Sequence, residues 1–135
     1  MELPRAIRQA VDAALEGASL ADLRRAAQRL SDRYRSETRD GRQHLSDEMA
    51  ALAYLAARMP ATYAAIHASL DAVAVMRPDF APTTMLDVGA GPGTGVVAAH
   101  DCWTDIAETT LIENAAAIRV VGERLLTAGG IKRLQ

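Results

Sequence analysis

Residues 85–95 read MLDVGAGPGTG, and they decide how the rest of the chain is read. A short apolar run ends in an acid, Asp87, and is followed at once by glycines at 89, 91 and 93. An apolar run that stops at a glycine turn is what a buried parallel strand looks like in sequence. The glycines let the backbone turn sharply and let a ligand come close where any Cβ would obstruct it. The residues after them lead into a helix over about Thr94–Trp103, so strand, turn and helix N-terminus meet at one point.

A second short apolar run, TTLIE, ends in Glu113, which lies 24 residues after Gly89. A carboxylate at the end of the neighbouring strand can accept both hydroxyls of a ribose. Asn114–Thr127 then has helical spacing, with Ile118, Val121, Leu125 and Leu126 inward, and the glycines at 129 and 130 end it. IKRLQ, the last five residues, starts a candidate third strand. The second half is therefore β-α-β-α.

The first half is alanine-rich and helical. Pro4 opens a helix with Ile7, Val11 and Leu15 on one side, and Gly17 closes it. Ser19 caps a second helix, with Asp22 in its first turn and an apolar stripe at Leu20, Leu23, Ala27, Leu30 and Tyr34. SETRDGRQH, residues 36–44, reads as a loop. Ser46, Asp47 and Glu48 open a third helix that runs through Arg58. Pro60 breaks it and starts a fourth, with Tyr63, Ile66, Leu70, Val73 and Met76 facing one way. The two prolines in RPDFAPTT mark a hinge. The organisation expected is α/β: a helical N-terminal region over 1–78, then the first β-α-β-α units of a Rossmann-like domain over 79–135.

Composition narrows the function classes. The chain has 135 residues, half of them apolar, with a net charge of −2, which suits one modest globular domain. It has no run of about 20 apolar residues to span a membrane, and its N-terminus lacks the apolar core of a secretory signal. Cys102 is the only cysteine, so no internal disulfide and no zinc or iron–sulfur site can be built from this chain alone. A reducing, cytoplasmic setting follows as the default. Aromatics make up 4%, too few for a base-stacking platform. His44, His67 and His100 share no ligand spacing, so no metal site is expected. Cys102 is expected to be a buried helix residue, His67 to lie at a surface or edge, and Tyr63 and Trp103 to anchor the core.

Charge is unevenly distributed. Residues 20–43 hold seven arginines and four acids, whereas residues 45–118 hold two arginines and nine acids. Arg25, Arg29 and Arg33 form a ridge on the second helix. That ridge is either a solvated face or a contact for RNA phosphates.

Asp87 distinguishes the glycine turn from a pyrophosphate site, because an acid there suits a cationic or hydrogen-bonding ligand. LDVGAGPGTG resembles motif I of the Rossmann-like S-adenosylmethionine-dependent methyltransferases, and TLIE resembles their second-strand acid. More narrowly, MPATYAAIHASL, DFAPTTMLDVGAGPGTG and the spacing from Trp103 to TLIE resemble the small-ribosomal-subunit-associated methyltransferase-like family of bacteria and mitochondria. The resemblance covers nearly the whole chain, loosely before Leu45 and closely from there to about Leu126. It implies an S-adenosylmethionine site at Asp87, Gly89, Ala90, Gly91, Gly93 and Glu113. It also implies a role in assembly or translation at the small ribosomal subunit, with rRNA as neighbour or substrate.

The resemblance further implies a longer sheet, a catalytic loop and iron–sulfur cysteines in full-length relatives. This chain has none of them, so it is expected to be truncated, with no catalytic residue assignable and its status as an enzyme open. An unpaired apolar strand edge would then favour self-association. Two other functions are carried alongside. A non-catalytic RNA- or protein-interaction module would keep only a vestigial cofactor site. An NAD-type dinucleotide binder would follow G-x-G-x-x-G, which in this register puts Thr94 at the third glycine.

Overall fold

A computed structural model describes residues 1–36 and 47–131. Six helices and two strands follow in order: α1 (Arg5–Leu15), α2 (Leu20–Arg35), α3 (Glu48–Ala57), α4 (Met59–Met76), β1 (Thr84–Val88), α5 (Thr94–Cys102), β2 (Glu108–Ile112) and α6 (Ala116–Ala128). His44, Ser46, most of the expected 36–44 loop and nearly all of the candidate third strand lie outside the described residues.

Local chemistry sets the helix starts. The Ser19 hydroxyl accepts from the Asp22 N–H, and the Asp47 carboxylate accepts from the Ala50 N–H at 2.7 Å. Each cap satisfies one of the amides that a helix start leaves without a partner. Between α3 and α4 only Arg58 intervenes, and Pro60 sits in the first turn of α4, where its missing N–H costs nothing.

β1 and β2 pair in parallel, with Asp87 opposite Leu111 and Val88 opposite Ile112. Parallel neighbours need a crossover, and α5 supplies it. One face of this sheet is covered: Met85 and Leu111 pack on the main cluster and Thr109 is buried. That cluster runs from Leu3, Ile7 and Val11 through Leu55, Met59 and Tyr63 to Val96, Ile118 and Leu126. The helical N-terminal part and the β-α-β-α part therefore share one core. The other sheet face is bare, with Leu86, Val88 and Ile112 exposed by 61%, 69% and 53%. Parallel strands usually carry cover on both faces.

Two apolar stripes differ from expectation. On α2 it is Ala26 and Leu30 that are buried, whereas Leu20 and Tyr34 are exposed. Leu20 and Tyr34 stand at the two ends of the helix, beyond the middle that packs on α3, and the Tyr34 ring is met by the Arg58 guanidinium, 4.4 Å from its centroid. On α4, Tyr63 is buried and Ile66 and Leu70 are partly so, but Val73 and Met76 project beyond the core. The four inward positions expected on α6 are all buried.

Candidate functional site

The loop after β1 is held from below by its own backbone. Gly89 and Ala90 both donate to the Ile112 carbonyl, at 2.7 and 3.2 Å, which ties the start of the turn to the end of β2. Gly93 donates to the Ala90 carbonyl at 2.8 Å, closing a tight turn. Gly89, Gly91 and Gly93 all have φ between 56° and 81°. That left-handed region is costly for any residue with a Cβ. Gly93 is also the residue before α5, so the helix N-terminus opens directly off the turn.

The two acids expected at the strand ends are both present at this turn, and they behave differently. Glu113 is half-buried, and each of its oxygens takes a backbone amide. Gly91 donates to Oε2 and Ala115 to Oε1, both at 2.8 Å. The carboxylate thus bridges the glycine turn and the start of α6. Arg119 donates to the Glu113 carbonyl at 3.0 Å and braces the same corner. Asp87 is also half-buried. Burial, and then the charge of Glu113, push its carboxyl above the ordinary value. The Glu113 charge and the partial burial thus favour a cation beside Asp87, or a proton on it.

Space beside Asp87 comes from Gly95, in the first turn of α5. A Cβ there would stand 3.0 Å from Asp87 Oδ2. Along α6 the turn is met at Gly122 and Leu126, and a cavity of about 170 Å³ lies between them, Glu113 and Arg119. Gly95, Gly122 and Arg119 were not singled out in the sequence. The signal for Gly122 was a lone glycine inside a helical pattern, which usually has a packing cause.

Of the expected site residues, the structure brings together Asp87, Gly89, Ala90, Gly91, Gly93 and Glu113 around one turn. The arginine ridge is looser. Arg25 and Arg29 are exposed, with Arg25 paired to Asp22, while Arg33 is partly buried. His67, expected at a surface or edge, is of intermediate exposure. Its side chain is mostly covered, Nε2 lies 3.4 Å from Asp101 Oδ2, and Nδ1 is buried without a hydrogen-bond partner. The same Asp101 oxygen accepts the Tyr63 hydroxyl at 2.6 Å. Burial and that hydrogen bond raise the Tyr63 phenol well above its ordinary range. This cluster fastens α4 to the C-terminal end of α5, the end away from the glycine turn. Among the described residues no group of three His, Cys, Asp or Glu side chains is placed to hold a metal, and no helix is long and apolar enough to cross a membrane.

Residues 48–135 match the family model described as "Mitochondrial small ribosomal subunit Rsm22". "Ribosome assembly protein METTL17, mitochondrial" from Homo sapiens is 34% identical over 79 residues, which make up 58% of this chain. The matched stretch is 17% of the length of that relative.

Proposed function

The chain belongs to the mitochondrial small ribosomal subunit Rsm22 family, and on that premise we propose that it carries the S-adenosylmethionine-binding portion of a methyltransferase-like protein of small-subunit assembly. The observation that carries the ligand choice is the Glu113–Gly91 hydrogen bond. A pyrophosphate bound at a glycine turn takes backbone amides of that turn. Here the Gly91 amide is already held by a carboxylate, whose charge would repel a phosphate. The same two acids suit a ligand with an ammonium group, a sulfonium and a ribose.

In this reading Asp87 faces the ammonium of the methionine part. Gly89, Ala90 and Gly93 give the ligand room against the main chain. Glu113, oriented by its two amides, offers its remaining lone pairs to the ribose hydroxyls. Bound there, S-adenosylmethionine would supply an electrophilic methyl group. The contribution of these residues would be to hold and orient it, which is the main demand when the acceptor is already nucleophilic.

The relative's name describes a ribosome assembly protein, which supports a small-subunit partner. The exposed arginines of α2, Arg24, Arg25, Arg29 and Arg35, offer rRNA phosphates a contact surface. Calorimetric titration with S-adenosylhomocysteine, with NAD run in parallel, tests the ligand. Saturable binding of the first alone supports the proposal. Binding of NAD, or of neither, refutes it.

A further inference from the structure

The glycine turn is fastened residue by residue to the segment that follows β2. Gly91 is held by Glu113 through its amide. Pro92 lies against Gly122, where an added Cβ would stand 3.0, 3.1 and 3.2 Å from the Pro92 Cα, carbonyl carbon and oxygen. Gly93 lies over Leu126, whose Cδ1 would be 2.6 Å from a Cβ at that position. Gly122 and Leu126 are one helical turn apart on α6, so they share a face. One receives main chain into a gap, and the other extends a side chain beneath the next residue.

Gly122 is a poor choice for helix stability alone, because glycine inside a helix costs about 0.8–1.0 kcal/mol relative to alanine. The cause is visible in what an alanine would meet. The obstructing atoms are backbone, with no flexible tip to swing aside, so the turn itself would have to move. The Glu113 carboxylate could not follow, because its other oxygen is held by Ala115 at the start of α6.

We infer that Gly122 is a positioning residue for the ligand site: by letting α6 touch Pro92 it holds the Gly91–Gly93 turn in register with Glu113. Which ligand the turn receives rests on the function proposed above; the fastening of the turn does not. An alanine at 122 would strengthen the helix locally, displace the turn and weaken the Gly91–Glu113 bond.

The test uses Gly122→Ala in the whole chain. Thr127→Ala, an exposed position on the same helix, serves as control. Two quantities are measured: amide hydrogen exchange of the ligand-free protein, resolved by residue, and affinity for S-adenosylhomocysteine. Gly122→Ala is expected to speed exchange at Gly91 by about tenfold, the effect of about 1.4 kcal/mol, while amides around Tyr63 keep wild-type rates. Affinity should fall by a similar factor, and Thr127→Ala should change neither. Wild-type exchange at Gly91 in Gly122→Ala overturns the inference, and so does acceleration spread evenly over the chain, which would mark a purely structural role. Faster exchange at Gly91 alone, in a protein that binds no S-adenosylhomocysteine even as wild type, upholds the positioning and refutes the proposed ligand.

Discussion

Replacing Glu113 with glutamine isolates the acid's role in holding the turn. The carboxylate accepts two amide hydrogen bonds, from Gly91 and Ala115, each 2.8 Å long. Glutamine keeps one carbonyl oxygen and so one of the two bonds. Its NH₂ then faces the other backbone N–H, donor against donor. Hydrogen bonds to charged groups contribute about 1.5–3 kcal/mol each. Glu113 is only half-buried, and the freed amide can recruit water, so the lower part of that range applies. Glu113→Gln should therefore destabilise the fold by about 1.5–2 kcal/mol. Urea unfolding followed by circular dichroism should show the midpoint falling with an unchanged slope, since the surface exposed on unfolding stays the same. Hydrogen exchange should accelerate at Gly91 or Ala115. A midpoint shift worth less than about 0.5 kcal/mol, the usual effect of a plain surface change, would show that the carboxylate does not hold the turn.

Further outcomes follow from the same geometry. Asp87 titrates above its ordinary value, so its neutral form is favoured in the folded chain. Its contribution to stability is thus present below the ordinary carboxylate range and is lost as pH rises through the raised value. On the proposed function, in which the ligand ammonium would need the charged acid, affinity for S-adenosylhomocysteine should climb over that window and then level off. Asp87→Asn should abolish the climb in a calorimetric pH series. Tyr63→Phe removes the hydroxyl that Asp101 accepts at 2.6 Å and should cost about 1.5 kcal/mol in urea unfolding; wild-type stability would mean the Tyr63–Asp101 bond does not fasten α4 to α5. Gly93→Ala combines a left-handed φ of 81° with Leu126 in the way; a loss of about 1–3 kcal/mol is expected, and a neutral result would contradict the close approach at α6. Changing Arg24, Arg25 and Arg29 together to glutamine should flatten the salt dependence of binding to small-subunit rRNA by up to about three phosphate contacts; an unchanged slope would remove α2 from that surface.

The glycine turn and its acids were legible because their signals are local. An apolar run, an acid and alternating glycines define strand, turn and helix within a dozen residues, and Glu113 repeats the strand-end pattern. Capping by Ser19 and Asp47 was equally local. What the sequence did not carry was which helix lies against which. His67 falls off the apolar stripe of α4, yet α5 crosses that side of the helix and covers it. Leu20 and Tyr34 fit the periodicity of α2, but they stand at its two ends, beyond the buried middle at Ala26 and Leu30. Gly95 and Gly122 owe their roles to an Asp87 oxygen and a Pro92 backbone brought close by the fold, and no spacing rule connects residue 122 to residue 92. Glu113 was expected to serve a ribose, and its second task, holding Gly91, depends on a side-chain direction that no pattern encodes.

The most direct test of the proposed cofactor site is an amide chemical-shift map of the chain titrated with S-adenosylhomocysteine. Saturable shifts should be largest at Asp87, Gly89, Ala90, Gly91, Gly93 and Glu113 and small along α1 and α2. Shifts centred elsewhere, or none at saturating ligand, would contradict the assignment of the glycine turn and its two acids as a methyl-donor site.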